Sequence, residues 1–387
     1  MTVHSSTMDQ TLIELTGRLI ERRSVSPDDA GCQDILYAAL APLGFQRVQY
    51  DFADVKNLWA VKEGNEPGPT LIFAGHTDVV PSGPTDAWSY DPFTLTVVQD
   101  VIYGRGAADM KGALAAMMLA AERFVADHPD FKGRLGFLIT SDEEAKATHG
   151  TKLAIQALKD QGAAIDFAIV GEPSSSEVLG DTIRVGRRGS LNGTLTVKGQ
   201  QGHVAYPETV INPIHLAAIA IEKLLATPLD QGHGAFPPST LQVTNIRAGT
   251  GATNVVPGDC CVEFNFRFNT AWNASSLKDW TETRLDAVLD KYDLQWTLSG
   301  DPFLTNEGEL LSVVDDAIQS ACGITPIHST GGGTSDGRFL APHDIDVVEV
   351  GVTNGTIHKV DERVAVSELR GLCDIYYQIM QTLLAPK

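Results

Sequence analysis

Thr70-Leu71-Ile72-Phe73-Ala74-Gly75-His76-Thr77-Asp78 is the stretch from which the rest of the chain can be read. Its first five residues form a short apolar run, Thr70 to Ala74, of the kind that is buried on both faces as an inner strand of a parallel sheet. A histidine and an aspartate follow at once. Residues i and i+2 of extended chain face the same side, so Asp78 is expected to reach one imidazole nitrogen of His76 and leave the other free for a metal. A carboxylate behind a ligating histidine fixes its tautomer and raises its basicity. Alone, such a pair reads first as an ordinary polar turn at a strand end.

Outward from this strand the pattern repeats. Apolar runs at Arg134 to Thr140, Asp166 to Val170 and Ile345 to Val350 read as further buried strands. Helical patterns fall at Gln10 to Arg23, Met110 to Ala126, Lys152 to Lys159 and Val366 to Leu384. Alternating strands and helices call for an α/β domain with a mostly parallel sheet covered on both faces, and with its functional groups at the carboxyl ends of the strands. After Val185 the pattern changes. Ser190 to Lys198, Thr240 to Arg247, Cys260 to Phe268 and, more faintly, Leu294 to Leu298 alternate polar and apolar residues, with helices at Asn212 to Ala226 and Ser275 to Lys291. That order predicts an inserted α+β sandwich, ferredoxin-like in sequence of elements. The expected domains are residues 1–186 with 301–387, interrupted by 187–300. The residues before Leu12 are expected to fray.

Composition narrows the function. The 387 residues carry 29 Lys+Arg against 49 Asp+Glu, a formal charge of −20. Nucleic acids and anionic membrane surfaces both recruit clustered cations, so neither is an expected partner. At 43% hydrophobic and 20% charged the chain is of ordinary globular composition. Its longest apolar stretches fall short of the roughly 20 residues that span a bilayer, and no secretory signal is read at Met1 to Thr11, so a cytoplasmic location is expected. The five cysteines form no CxxC and are expected to be reduced thiols.

Chemistry concentrates in the loops after the strands. Gly104 to Gly112 places Asp109 after a glycine-rich turn at the mouth of a helix, where by itself it would be an N-cap. Ser141-Asp142-Glu143-Glu144, Gly171-Glu172-Pro173 and Thr356-Ile357-His358-Lys359-Val360-Asp361-Glu362 each follow an apolar strand. So many loops delivering Asp, Glu or His to one sheet edge indicate a ligand site. Two histidines, Asp109 and two of the three glutamates suit zinc or a neighbouring divalent metal, and one bridging carboxylate would hold two ions about 3.5 Å apart. Two zinc ions would be neutralised by Asp109, Glu144, Glu172 and one hydroxide. Glu143 would then be free to accept a proton from a metal-activated water and pass it to a leaving nitrogen.

These segments, together with Gly75 to Pro81 and Trp88 to Phe93, resemble the M20 metallopeptidase-like family over almost the whole chain. The resemblance is closest to its desuccinylase members through Val185 to Leu191, Gly202-His203-Val204-Ala205-Tyr206-Pro207, Gly331 to Phe339 and Thr356 to Val360. It implies a di-zinc aminopeptidase-like catalytic domain in which His76 and Glu172 bind one zinc, Glu144 and His358 the other, and Asp109 bridges. Asp78 stands behind His76, Glu143 is the general base, and cobalt is an alternative metal. It further implies that residues 187–300 form a dimerisation lid, and that His203 crosses to the partner's active site of a homodimer to stabilise the oxyanion. The implied reaction removes succinate from N-succinyl-L,L-diaminopimelate in bacterial lysine and diaminopimelate biosynthesis. So anionic a substrate requires local arginines. Arg187 and Arg267 are the candidates because a guanidinium holds a carboxylate bidentately, with Asn254, Thr334 and Asn354 as neutral partners. Asn354-Gly355-Thr356 departs from the Asn-Ala-Thr expected there. The competing readings are another amide hydrolase of the family, such as an acetylornithine deacetylase or a dipeptidase, and a metal-binding protein on a dead hydrolase fold.

Overall fold

The computed structural model describes residues 2–386, which divide into two compact units. The first comprises residues up to Gly186 with Thr305–Ser329 and Ser335 onward; the second comprises Arg187–Leu304 with Thr330–Thr334. The heart of the first is an eight-stranded mixed sheet in the order Gln46–Gln49, Asn57–Glu63, Lys132–Thr140, Glu66–His76, Phe167–Val170, Asp346–Glu349, Thr182–Arg184, Ile327–Ser329. Its four central strands, from Lys132–Thr140 to Asp346–Glu349, are mutually parallel. Asn57–Glu63 and Gln46–Gln49 extend it antiparallel on one side. Leu71, Ile72, Phe73 and Ala74 are wholly buried, as are Leu135, Phe137, Leu138 and Ile139. Strands buried on both faces cannot alternate, hence the continuous apolar runs.

The helix Gly112–Asp127 is alanine-rich and buried on most of its circumference, where it packs against Val366–Leu384. It starts two residues later than periodicity suggests because Ala107–Lys111 forms a separate wound turn. The first helix runs Thr2–Ile20, so the expected fraying before Leu12 is not found. Asp9 reaches across to a bidentate pair with Arg370, both bonds 2.7 Å. Its expected end at Arg23 also moves, to Ile20. The buried Lys111 ammonium draws the carbonyls of Leu19 and Arg22 to 2.8 Å each, satisfying acceptors that a helix end leaves open. Among the described residues no helix is long and apolar enough to cross a membrane.

The second unit is a four-stranded antiparallel sheet in the order Thr240–Ala248, Asp259–Phe268, Gly189–Lys198, Tyr292–Gly300, with the helices Pro213–Leu225 and Ala274–Asp286. The chain visits these as strand, helix, strand, strand, helix, strand, the split βαβ arrangement. Cys260, Val262, Phe264, Phe266 and Phe268 alternate into its core. Asn212 and Asn273 cap the two helices, the second within a capping box with Ser276. Phe264 meets Trp296 edge-on at 5.6 Å and lies over Gly193, where a Cβ would stand 2.3 Å from its ring. Phe264→Ala should destabilise this unit by about 3–5 kcal/mol through the cavity it leaves. Denaturant unfolding followed by tryptophan fluorescence measures it, and a loss below about 1 kcal/mol would show that this ring is not central to the core.

Candidate metal centre and active site

His76 is the last residue of its strand and is paired in register with Thr140 on the parallel neighbour, so the loops after these strands emerge at one edge. The imidazole is 1% exposed. Its Nδ1 lies 2.8 Å from the main-chain carbonyl of Asp78, whereas the Asp78 carboxylate is 3.7 Å away. The partner expected behind His76 is therefore present, but its peptide oxygen makes the hydrogen bond. This places the proton on Nδ1 and leaves Nε2 as the free donor atom. The Asp78 carboxylate accepts the amides of Glu143 (3.3 Å) and Glu144 (3.1 Å) and the hydroxyl of Ser26. One residue thus orients the histidine with its backbone and the glutamate loop with its side chain.

Asp109 sits in the turn Ala107–Lys111 with non-helical backbone, and its side chain caps no helix. The preceding Gly106 has φ 83°, and a Cβ there would come within 2.7 Å of Val79, so only glycine fits. The Asp109 carboxylate presents Oδ1 to His76 Nε2 and Oδ2 to His358 Nε2, each at 3.3 Å. Glu172 Oε1 stands 3.4 Å from His76 Nε2, and Glu144 Oε1 3.0 Å from His358 Nε2. Two donor groups result, His76–Asp109–Glu172 and Asp109–Glu144–His358, each with its donor atoms within 4.8 Å of one another. Glu143 belongs to neither. Its Oε1 faces Arg338 Nη1 at 3.9 Å.

The crowding of these groups shows in their proton affinities. Burial pushes the Glu143 carboxyl well above its usual range, with Glu172 adding repulsion. Burial and the Asp109 charge raise Glu172 to about 7. Burial would lower His76, but the bonds to Asp109 and Glu172 outweigh it and hold the ring well above its ordinary value. Asp109 and then Glu144 raise His358 to about 10. Burial opposes ionisation of Asp109, yet the two histidines hold its carboxyl far below the ordinary value. The buried Glu172 Oε1 has only the long 3.4 Å approach of His76 Nε2 to satisfy it. Two imidazoles and three carboxylates set this closely, with His76 and Asp109 buried and His358 at the exposed rim, fit divalent cations.

A family model described as Peptidase family M20/M25/M40 matches residues 72–382. The chain belongs to this family. Its M20 relatives include a curated succinyl-diaminopimelate desuccinylase of Methylobacillus flagellatus, 54% identical over 97% of this chain and 100% of the relative. Another of that name, from Stutzerimonas stutzeri, is 53% identical over 96% and 97%. A Bacillus subtilis structure described as a dinuclear metal binding peptidase from the M20 family superposes with a TM-score of 0.74 at 16% identity, covering 98% of this chain and 99% of that one, which shows a common fold.

The remaining candidates of this M20 chain fall into two places. Asn354 lies in the first unit on the His358 loop, where its amide donates to the Ser175 carbonyl at 3.0 Å. The others lie in the second unit. Arg187 is buried, its Nη1 donating to the carbonyls of Gly331 (3.0 Å) and Gly333 (3.4 Å), which brings it beside the segment carrying Thr334. Arg267 pairs in register with Ser190 and Thr240 on its two neighbouring strands. His203 is exposed opposite Val255, with its Nδ1 accepting the Ala205 amide at 3.1 Å, and the neighbouring Val204 amide donates to the Asn254 carbonyl.

Sequence reasoning assigned nothing to Arg338, Arg105 or Glu362. Arg338 could have been suspected from its place in the Gly331 to Phe339 motif. The buried pair Arg105–Glu362, 2.6 Å apart and separated by 257 residues, has no local signature.

The raised values of Glu172 and His358 have a measurable consequence. Cations bind the deprotonated forms, so loading must expel protons and apparent affinity must climb as pH rises through the Glu172 value of about 7. Zinc calorimetry in buffers of different ionisation enthalpy should record net proton release at neutral pH. Proton-neutral binding would show that these groups are not the ligands.

Proposed function

We propose that this chain is a succinyl-diaminopimelate desuccinylase, hydrolysing the amide of N-succinyl-L,L-diaminopimelate to succinate and L,L-diaminopimelate in the cytoplasm of a bacterium. One observation carries the chemistry: Glu143, a largely buried carboxylate outside both donor groups, stands beside two groups that share Asp109. The substrate rests on near full-length relatedness to desuccinylases, with 54% identity in one case.

In this reading His76, Glu172 and Asp109 would hold one ion and Glu144, His358 and Asp109 the other, zinc being the proposed metal and cobalt a competent substitute. When bound, such ions polarise the amide carbonyl and acidify water. Glu143 does the proton work. It accepts a proton from the attacking water, and its raised affinity lets it keep that proton until the C–N bond breaks and the leaving nitrogen takes it. Asp78 orients His76 and braces the Glu143–Glu144 loop. Arg187 and Arg267 hold substrate carboxylates, with Asn254, Thr334 and Asn354 as polar partners. Residues 187–300 act as a dimerisation lid that carries His203 to the partner's site.

The zinc-loaded protein should release succinate from N-succinyl-L,L-diaminopimelate with a kcat/KM well above that for acetylornithine or dipeptides. Preference for either of those would make it a different M20 hydrolase, and zinc binding without any amide cleavage would make it a binding protein. Glu143→Gln should retain both ions by metal analysis and lose about 10²- to 10⁴-fold in kcat. Near wild-type turnover would remove Glu143 from the mechanism.

The trans assignment of His203 is tested by mixing. His203→Ala should lose about 10²- to 10³-fold in kcat with its metal content intact, as for loss of an oxyanion donor. Exchanged dimers of His203→Ala with Glu143→Gln should partly regain activity, because one site then combines an intact Glu143 with an intact His203. Exchanged dimers that stay inactive would place His203 in its own subunit's site or outside the mechanism.

A further inference from the structure

Glu362 lies four residues beyond His358, is 0% exposed, and belongs to neither donor group. Both of its oxygens are already taken. Oε2 accepts Arg105 Nη1 at 2.6 Å and the Gly106 amide at 3.0 Å, and Oε1 accepts the amides of Ala108 and Asp109, each at 3.0 Å. With two donors on each oxygen it has nothing left to offer an ion, so it is no ligand. The three amides belong to the turn that presents Asp109, and they converge on one carboxylate only while the turn keeps this conformation. Arg105 is itself held, with its guanidinium over the Trp88 ring at 5.2 Å.

The loop that supplies Glu362 also supplies His358, and it is pinned along its length. Asp361 accepts the Ser89 amide at 2.7 Å and hydroxyl at 2.8 Å, while Thr356 Oγ1 donates to the Arg363 carbonyl at 3.0 Å. A single buried carboxylate therefore ties the turn bearing Asp109 to the loop bearing the exposed His358.

We infer that Glu362 is a positioning residue that sets Asp109 against His358 and so completes the donor group Asp109–Glu144–His358. The inference rests on reading the two groups as cation sites. It is independent of which amide the enzyme cleaves. Hydrogen bonds to the groups that hold a ligand are typically worth about 10- to 100-fold in metal affinity.

The test is Glu362→Gln in the full chain. The substitution preserves shape, but either orientation of its amide aims an NH2 at two N–H donors, Arg105 and Gly106 or Ala108 and Asp109. Zinc titration of the metal-free protein should show the weaker binding step loosened by about 10- to 100-fold, with the far-ultraviolet circular dichroism of wild type. The visible d–d spectrum of the cobalt-loaded variant should change, as it reports ligand geometry and not global stability. Wild-type affinities and an unaltered cobalt spectrum in folded Glu362→Gln would overturn the inference. If Glu362→Gln fails to fold, Glu362→Asp, which keeps the charge but shortens the reach, takes its place under the same criteria. If neither folds, Glu362 is a folding group and the inference also falls. A wild-type protein that releases no succinate while the zinc effect persists would sink the desuccinylase reading alone. Succinate release with unaltered zinc binding in Glu362→Gln would sink only the positioning role.

Discussion

The Asp109 carboxylate, which turns one oxygen to His76 and the other to His358 at 3.3 Å each, sets the terms for everything around it. A carboxylate shared between two groups must be held on both sides at once, and its neighbours Glu144 and Glu172 repel it and each other. The protein meets that cost with rigid backbone. The parallel strands deliver His76, the Glu143–Glu144 loop and Glu172 from adjacent positions on one sheet, so their separations follow from strand spacing. Asp78 and Glu362 then fasten the loops by accepting main-chain amides, bonds that fix conformation irrespective of which side chains the loops carry.

The electrostatic state of this cluster accounts for its chemistry. Among themselves these groups drive the glutamates toward protonation and the histidines away from neutrality, the reverse of what a ligand requires. An environment that disfavours closely packed carboxylate charges on their own favours a compact divalent charge among them. It also leaves Glu143, outside both groups, with an elevated proton affinity.

How far the sequence could be read follows from which forces were local. The central strands declared themselves because burial on both faces leaves no room for polar residues, and the second unit because its Asp259–Phe268 strand alternates strictly. Gln46–Gln49 and Asn57–Glu63 escaped notice because outer strands carry mixed residues and owe their pairing to distant neighbours. The helix at Thr2–Ile20 was read short since its anchor, Arg370, lies at the other end of the chain. At the site, residue types and strand-end placement pointed to His76, Asp109, Glu144, Glu172 and His358. The acceptor behind His76 was misjudged because a backbone carbonyl has no letter in the sequence. Glu362 went unassigned for the same reason, three of its four donors being peptide amides.

The inserted second unit has a consequence for how the protein is made. His358 follows Glu144 by 214 residues, and the Arg105–Glu362 pair closes a span of 257. On the ribosome His76, Asp109, Glu144 and Glu172 emerge long before either late residue, and an entire antiparallel unit is synthesised in between. The residues of the first donor group are thus all made early, but the turn that presents Asp109 gains its Glu362 acceptor, and the second group its His358, only after the inserted unit has been synthesised.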